Sequence, residues 1–148
     1  MLASIRPDSW NLPLFVHVLG AMVLVGGLLV AAASVLVSRG EIRLLRVGYL
    51  TLLAVALPGY VIMRVGAQWI YSKEHLDDAP TDPAWVGIGF ITADAGALLL
   101  LIALILGGIG LRRARGGGTG FLRASLYISV LLLAAYLVAV WAMGAKPD

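Results

Sequence analysis

Six side chains in this sequence combine reactive chemistry with an unfavourable setting: His17, Tyr60, Arg64, Gln68, Asp94 and Tyr136. Each lies within a long apolar run, where an ionisable or hydrogen-bonding group is expensive and is a functional hypothesis by default. Tyr60, Arg64 and Gln68 recur at i, i+4 and i+8, so a helix would carry them as one polar stripe. Arg64 and Asp94 have opposite charges, and neither can face hydrocarbon cheaply, so the two are expected to point inward and pair. His17 and Tyr136 can complete their hydrogen bonds. The set would suit proton-linked transport or binding, with histidine the side chain whose charge changes most readily near neutral pH. It would also suit a redox role, with His17 ligating a haem or orienting a quinone, and Arg64 neutralising a propionate or stabilising a reduced ring oxygen. A third option is acid–base catalysis by Asp94 and His17, although no substrate is indicated and no reaction centre is evident. Against all of these stands a structural role, in which the ion pair only fixes helix register.

The elements that must position these groups follow from composition. Of 148 residues, 61% are hydrophobic and 13% charged, with a mean hydropathy of +0.97. A water-soluble fold of this size must cover itself with polar side chains, so the surplus of Leu, Val, Ala and Ile points to lipid as the solvent. Four stretches supply the roughly 20 apolar residues that a membrane-crossing helix needs: Leu12–Val37, Leu44–Ile70, Trp85–Leu111 and Phe121–Met143. The first run is longer than the core of a signal peptide and lacks a small-residue cleavage site, so it is expected to be retained. Short connections favour antiparallel neighbours, and the expected fold is an all-α, up-down-up-down four-helix transmembrane bundle forming a single domain.

Charge asymmetry sets the expected orientation. Arg39, Arg43 and Arg46 mark the first connection, and Arg112, Arg113, Arg115 and Arg123 mark the third, opposed only by Glu41. By the positive-inside bias both face the cytoplasm. Both chain ends then lie outside, in a multi-pass protein of the cell membrane. Trp10, Trp69, Tyr71, Trp85 and Trp141 fall at the outer ends of the spans, where amphipathic rings favour the interface. Measured from there at about 1.5 Å per residue, His17, Arg64, Asp94 and Tyr136 all lie on the order of 8–13 Å deep. One layer, fed by four helices, would form an outer-leaflet polar pocket.

Other features carry less. The pI of about 9.6 comes from short arginine clusters between apolar runs, which are topology signals and give no reason to expect nucleic acid as a partner. The absence of cysteine excludes disulfides, thiolate nucleophiles and Cys-based metal sites. His75, with Glu74, Asp77 and Asp78, matches no metal motif and reads as part of a solvated acidic loop. Pro58-Gly59 is expected to kink the second helix. Gly89, Ala93 and Ala97 form a small-residue ridge for close packing, and Gly116, Gly117, Gly118 and Gly120 loosen the third connection. Tyr49, Thr51, Ser125, Tyr127 and Ser129 can bond to helix backbone. Lipid is the expected surrounding partner, and the small-residue ridges leave room for a homo-oligomer or a membrane partner.

The run from His17 through Gly20 to Gly26-Gly27 resembles the first-helix pattern of small bacterial integral membrane proteins of unknown function, with the His and Gly-Gly spacing of the copper resistance protein D group. Where those families usually place a Trp, this chain has Leu24. The resemblance covers about one span in four and implies a helical membrane protein with a histidine near the outer end of its first helix. The cytochrome b561-like group, of related architecture, holds haem between paired histidines, a scheme for which His17 is the only intramembrane histidine here.

Overall fold

The computed structural model describes residues 11–73, 75 and 84–145. Trp10, Glu74, Asp77 and Asp78, which entered the reading of orientation and of the outer loop, lie outside the described residues. Among the described residues there are four helices: α1 (Asn11–Val37), α2 (Ile42–Lys73), α3 (Ala84–Gly116, its last turn a 3₁₀ turn) and α4 (Gly120–Ala145). All four are long and apolar enough to cross a membrane, and each expected span is recovered to within a few residues at either end. Pro13 is tolerated because it falls in the first turn of α1, where no intrahelical acceptor needs its missing N–H.

Tight turns make consecutive helices antiparallel. Between α1 and α2 the chain reverses over Ser38–Glu41, with Arg39 and Gly40 both in the left-handed region (φ 47° and 91°). Ser38 holds this turn: its carbonyl accepts from Glu41 N at 2.7 Å and its hydroxyl donates to the Val35 carbonyl at 3.1 Å. The connection from α3 to α4 turns at Gly117 (φ 88°), and the Arg113 guanidinium lies 4.5 Å from the centre of the Phe121 ring.

Glycines at seven-residue spacing bring α1 and α2 together. Gly20 faces Met63, Gly27 faces Ala56, Gly59 faces Leu24, and Gly66 faces His17; in each case backbone occupies the space a Cβ would need. Dispersion between closely approaching backbones is a main source of helix association in lipid, and a seven-residue repeat keeps an antiparallel seam in register along its length. In α3 the series is Gly89, Gly96, Ala103 and Gly110, all buried and all on the face packed against α4. The expected ridge of Gly89, Ala93 and Ala97 is therefore only partly realised. Gly89 and Ala93 are buried, whereas Ala97 is partly exposed and the close approach is made by Gly96, beneath Tyr136.

The two halves of the bundle differ. Toward the arginine-bearing end the core is solid, with Leu28, Leu45, Leu52, Leu122 and Leu126 fully buried. Two interhelical bonds tie it: Tyr49 Oη donates to the Leu104 carbonyl at 3.2 Å and Ser125 Oγ donates to the Ala103 carbonyl at 2.6 Å. Toward the tryptophan-bearing end the pairs α1–α2 and α3–α4 stay intimate, but α2 and α3 barely touch along their backbones. The two halves of α2 are joined by a wide π turn over Leu52–Ala56, in which Leu57 N donates to the Leu52 carbonyl five residues back. Pro58 offers no N–H to the carbonyl four residues before it, and widening the preceding turn is how the helix continues through the proline without a break.

Candidate functional site

The open half of the bundle encloses a cavity of about 810 Å³, walled by all four helices. Its lining is mostly apolar. Val18 and Met22 of α1 and Leu137 and Val140 of α4 belong to the lining and are exposed, so the cavity is open and not sealed.

Three of the six expected residues line it: His17, Arg64 and Tyr136. His17 stands where Gly66 lets α1 and α2 touch, and its Nδ1 lies 3.0 Å from the Met63 carbonyl. A carbonyl can only accept, so Nδ1 is the donor of this bond. The expectation that His17 has a polar partner on another helix is met by backbone and not by a side chain.

Arg64 sits between two environments. Its Nη2 donates to Asp94 Oδ1 at 3.1 Å on the outer surface of the bundle, and the guanidinium packs 5.0 Å from the centre of the Phe90 ring. Tyr71 meets the same ring edge-on at 5.3 Å. Nη1, in contrast, is buried and has no hydrogen-bond partner among the described residues. The same is true of Tyr136 Oη, on a side chain only 5% exposed. That hydroxyl occupies the space over Gly96 where a larger residue would have a side chain.

The other three expected residues do not line the cavity. Tyr60 Oη donates to the Ala93 carbonyl at 3.2 Å and so bridges α2 to α3. Gln68 is exposed, one turn beyond Arg64. Asp94 pairs with Arg64 as expected, but it points away from the interior and its side chain is 66% exposed. The reason is helical phase: Ala93 occupies the buried face of α3, and the next residue is rotated from it by about 100°. His17 and Asp94 therefore do not share the cavity as an acid–base pair. Of the inner hydroxyls, Tyr49 and Ser125 join helices, whereas Thr51 and Ser129 bond within their own helix. Among the described residues no group of three or more His, Asp or Glu is placed to hold a metal ion, and Glu74, Asp77 and Asp78 lie outside the described residues.

Phe90 escaped the sequence reading, although its position one turn before Asp94 places it beside any arginine that pairs there. The Met63 carbonyl left no trace in side-chain chemistry. The assembled site holds two buried donors without acceptors among the described residues, the His17 ring, and a cation paired with Asp94. Once a small shift uncovers Arg64 Nη1 and Tyr136 Oη, the arrangement can donate hydrogen bonds to a neutral acceptor held in apolar surroundings. The chain matches no protein-family model, no curated protein and no solved structure.

Proposed function

We propose that this multi-pass membrane protein uses its cavity to receive a neutral, largely apolar molecule bearing acceptor oxygens, such as a ketone or ester, in a binding, transport or accessory role. One observation carries the proposal: Arg64 Nη1 and Tyr136 Oη are both buried without a partner among the described residues, on two side chains that line one apolar cavity. Leaving a buried donor unsatisfied costs about 1–3 kcal/mol, which a ligand oxygen would recover. Asp94 already neutralises Arg64, so an anionic ligand would bring an unbalanced charge into a low-dielectric site, whereas a carbonyl would not. Exposure of the lining residues Val18, Met22, Leu137 and Val140 supports entry from the lipid.

Trp85 lines the cavity, so its fluorescence reports occupancy. In lipid nanodiscs a long-chain ketone is expected to bind roughly tenfold more tightly than the alkane of equal length, the value of about one net hydrogen bond. That preference should vanish in the double variant Arg64→Gln, Tyr136→Phe. Equal affinity for ketone and alkane in the wild-type protein would refute the proposal.

A second reading, a redox protein with haem or quinone near His17, is favoured by one detail. A histidine whose Nδ1–H is anchored on a backbone carbonyl is the usual setting of a ligating Nε2. The visible spectrum and an organic extract of protein purified in mild detergent distinguish the two readings. A Soret band or an extracted quinone supports the redox role.

For orientation, the arginine-bearing connections are proposed to face the cytoplasm, with both chain ends on the other side. Ala145→Cys should react with an impermeant thiol reagent in intact cells and Gly117→Cys should not. The opposite pattern reverses the assignment.

A further inference from the structure

Asp94 raises a question that the cavity does not answer. It lies roughly 13 Å along α3 from Trp85, well within the depth of the hydrocarbon, and yet its side chain is 66% exposed. Its α3 neighbours on that surface, Ile91 and Leu98, are exposed apolar residues, as are Val61 and Val65 on α2. Oδ1 accepts from Arg64, and Oδ2 has no hydrogen-bond partner among the described residues. Carboxylates at such depth face a protein interior, a water-filled cavity or a paired charge, because lipid does not solvate them.

We infer that this face is covered by a second copy of the chain, with Asp94 of each copy meeting Arg64 of the other. A two-fold axis along the membrane normal keeps every residue at its own depth while bringing like surfaces together. Arg64 and Asp94 already share a depth, since they are 3.1 Å apart, and they are a donor and an acceptor. The patch is thus complementary to itself. Joining two copies gives a closed ring of alternating charges in which each carboxylate gains a second donor. Arg64 is 30% exposed, so its guanidinium is not used up by Asp94 and the cavity; it has five N–H groups to distribute. A different membrane protein would have to bring a donor at the matching depth, whereas a second copy supplies one by symmetry. Ile91, Leu98, Val61 and Val65 provide the surrounding apolar contact, the kind of packing that drives helix association in lipid.

The chain has no cysteine, so single replacements give a clean test. Ile91→Cys and Val138→Cys, the latter on the exposed side of α4, are oxidised in membranes at high lipid-to-protein ratio. Ile91→Cys should form a disulfide-linked dimer and Val138→Cys should remain monomeric. Adding Asp94→Asn to Ile91→Cys should lower the dimer yield about tenfold, as for loss of a charge-assisted hydrogen bond. Chains carrying Arg64→Asp or Asp94→Arg, each with Ile91→Cys, should cross-link to one another when mixed and far less when alone. The inference is overturned if Ile91→Cys stays monomeric, if it links to a different polypeptide, if Val138→Cys links equally well, or if Asp94→Asn leaves the yield unchanged.

Discussion

Replacing Gly20 by alanine adds one methyl group at the tightest part of the α1–α2 seam. A Cβ there would lie 2.6 Å from Met63 Cα and 2.8 Å from the Ile62 carbonyl carbon, and closer still to the Met63 amide nitrogen. Ordinary contact begins near 3.4 Å, so α2 must retreat by about 0.8 Å or more. All three obstacles are backbone, and no side-chain rotation relieves them. Overpacking of this kind costs typically 1–3 kcal/mol. The same retreat stretches the 3.0 Å bond from His17 Nδ1 to the Met63 carbonyl, which contributes about 1 kcal/mol more. Gly26→Ala is the matched control, because nothing lies within 4 Å of its Cβ position and alanine favours helix. Reversible unfolding in mixed micelles, followed by circular dichroism against increasing SDS, should place Gly20→Ala about 2–4 kcal/mol below wild type, the sum of these two contributions. Gly26→Ala should be neutral or slightly stabilised. If the two variants unfold together, the close backbone seam does not hold the pair and the reasoning fails.

Tyr136→Phe removes a buried hydroxyl that has no partner among the described residues, so the ligand-free protein should gain about 1–2 kcal/mol in the same assay while its affinity for ketones falls; a loss of stability would mean that the hydroxyl is satisfied. Asp94→Asn and Arg64→Gln should each destabilise the protein, and the double variant should cost little more than either alone, since removing one partner leaves the other charge without compensation. Additive losses in that double-mutant cycle would show the two residues to be independent.

The spans were legible because lipid sets a length and a polarity that few sequences meet by accident, and the arginine clusters and tryptophans marked their ends. The Arg64–Asp94 pairing was legible from depth and charge together. Its direction was not. In lipid both faces of α3 are apolar, so nothing in the run around Ala93-Asp94 distinguishes the side facing α4 from the side facing hydrocarbon, and an inward carboxylate was the natural but mistaken expectation. Which helices close together was readable in principle from Gly20 and Gly27 against Gly59 and Gly66, a seven-residue spacing obscured by the abundance of glycine elsewhere in the chain. His17 could be assigned a partner only as a class, because a backbone carbonyl has no signature of its own in the sequence.

The wide turn over Leu52–Ala56 has a bearing on how this chain would diverge. One additional residue in a helical turn advances everything beyond it by about 100°, so Gly59, Arg64 and Gly66 owe their facing direction to a residue that a straight α-helix would not contain. The two halves of α2 are, in effect, separately phased. A descendant that lost one residue between Leu52 and Ala56 would turn Arg64 off the cavity and Gly66 off the α1 seam, although every side chain named here was retained. Within this one short segment, then, a length change in the middle of the helix decides which side chains face the cavity and which face the α1 seam.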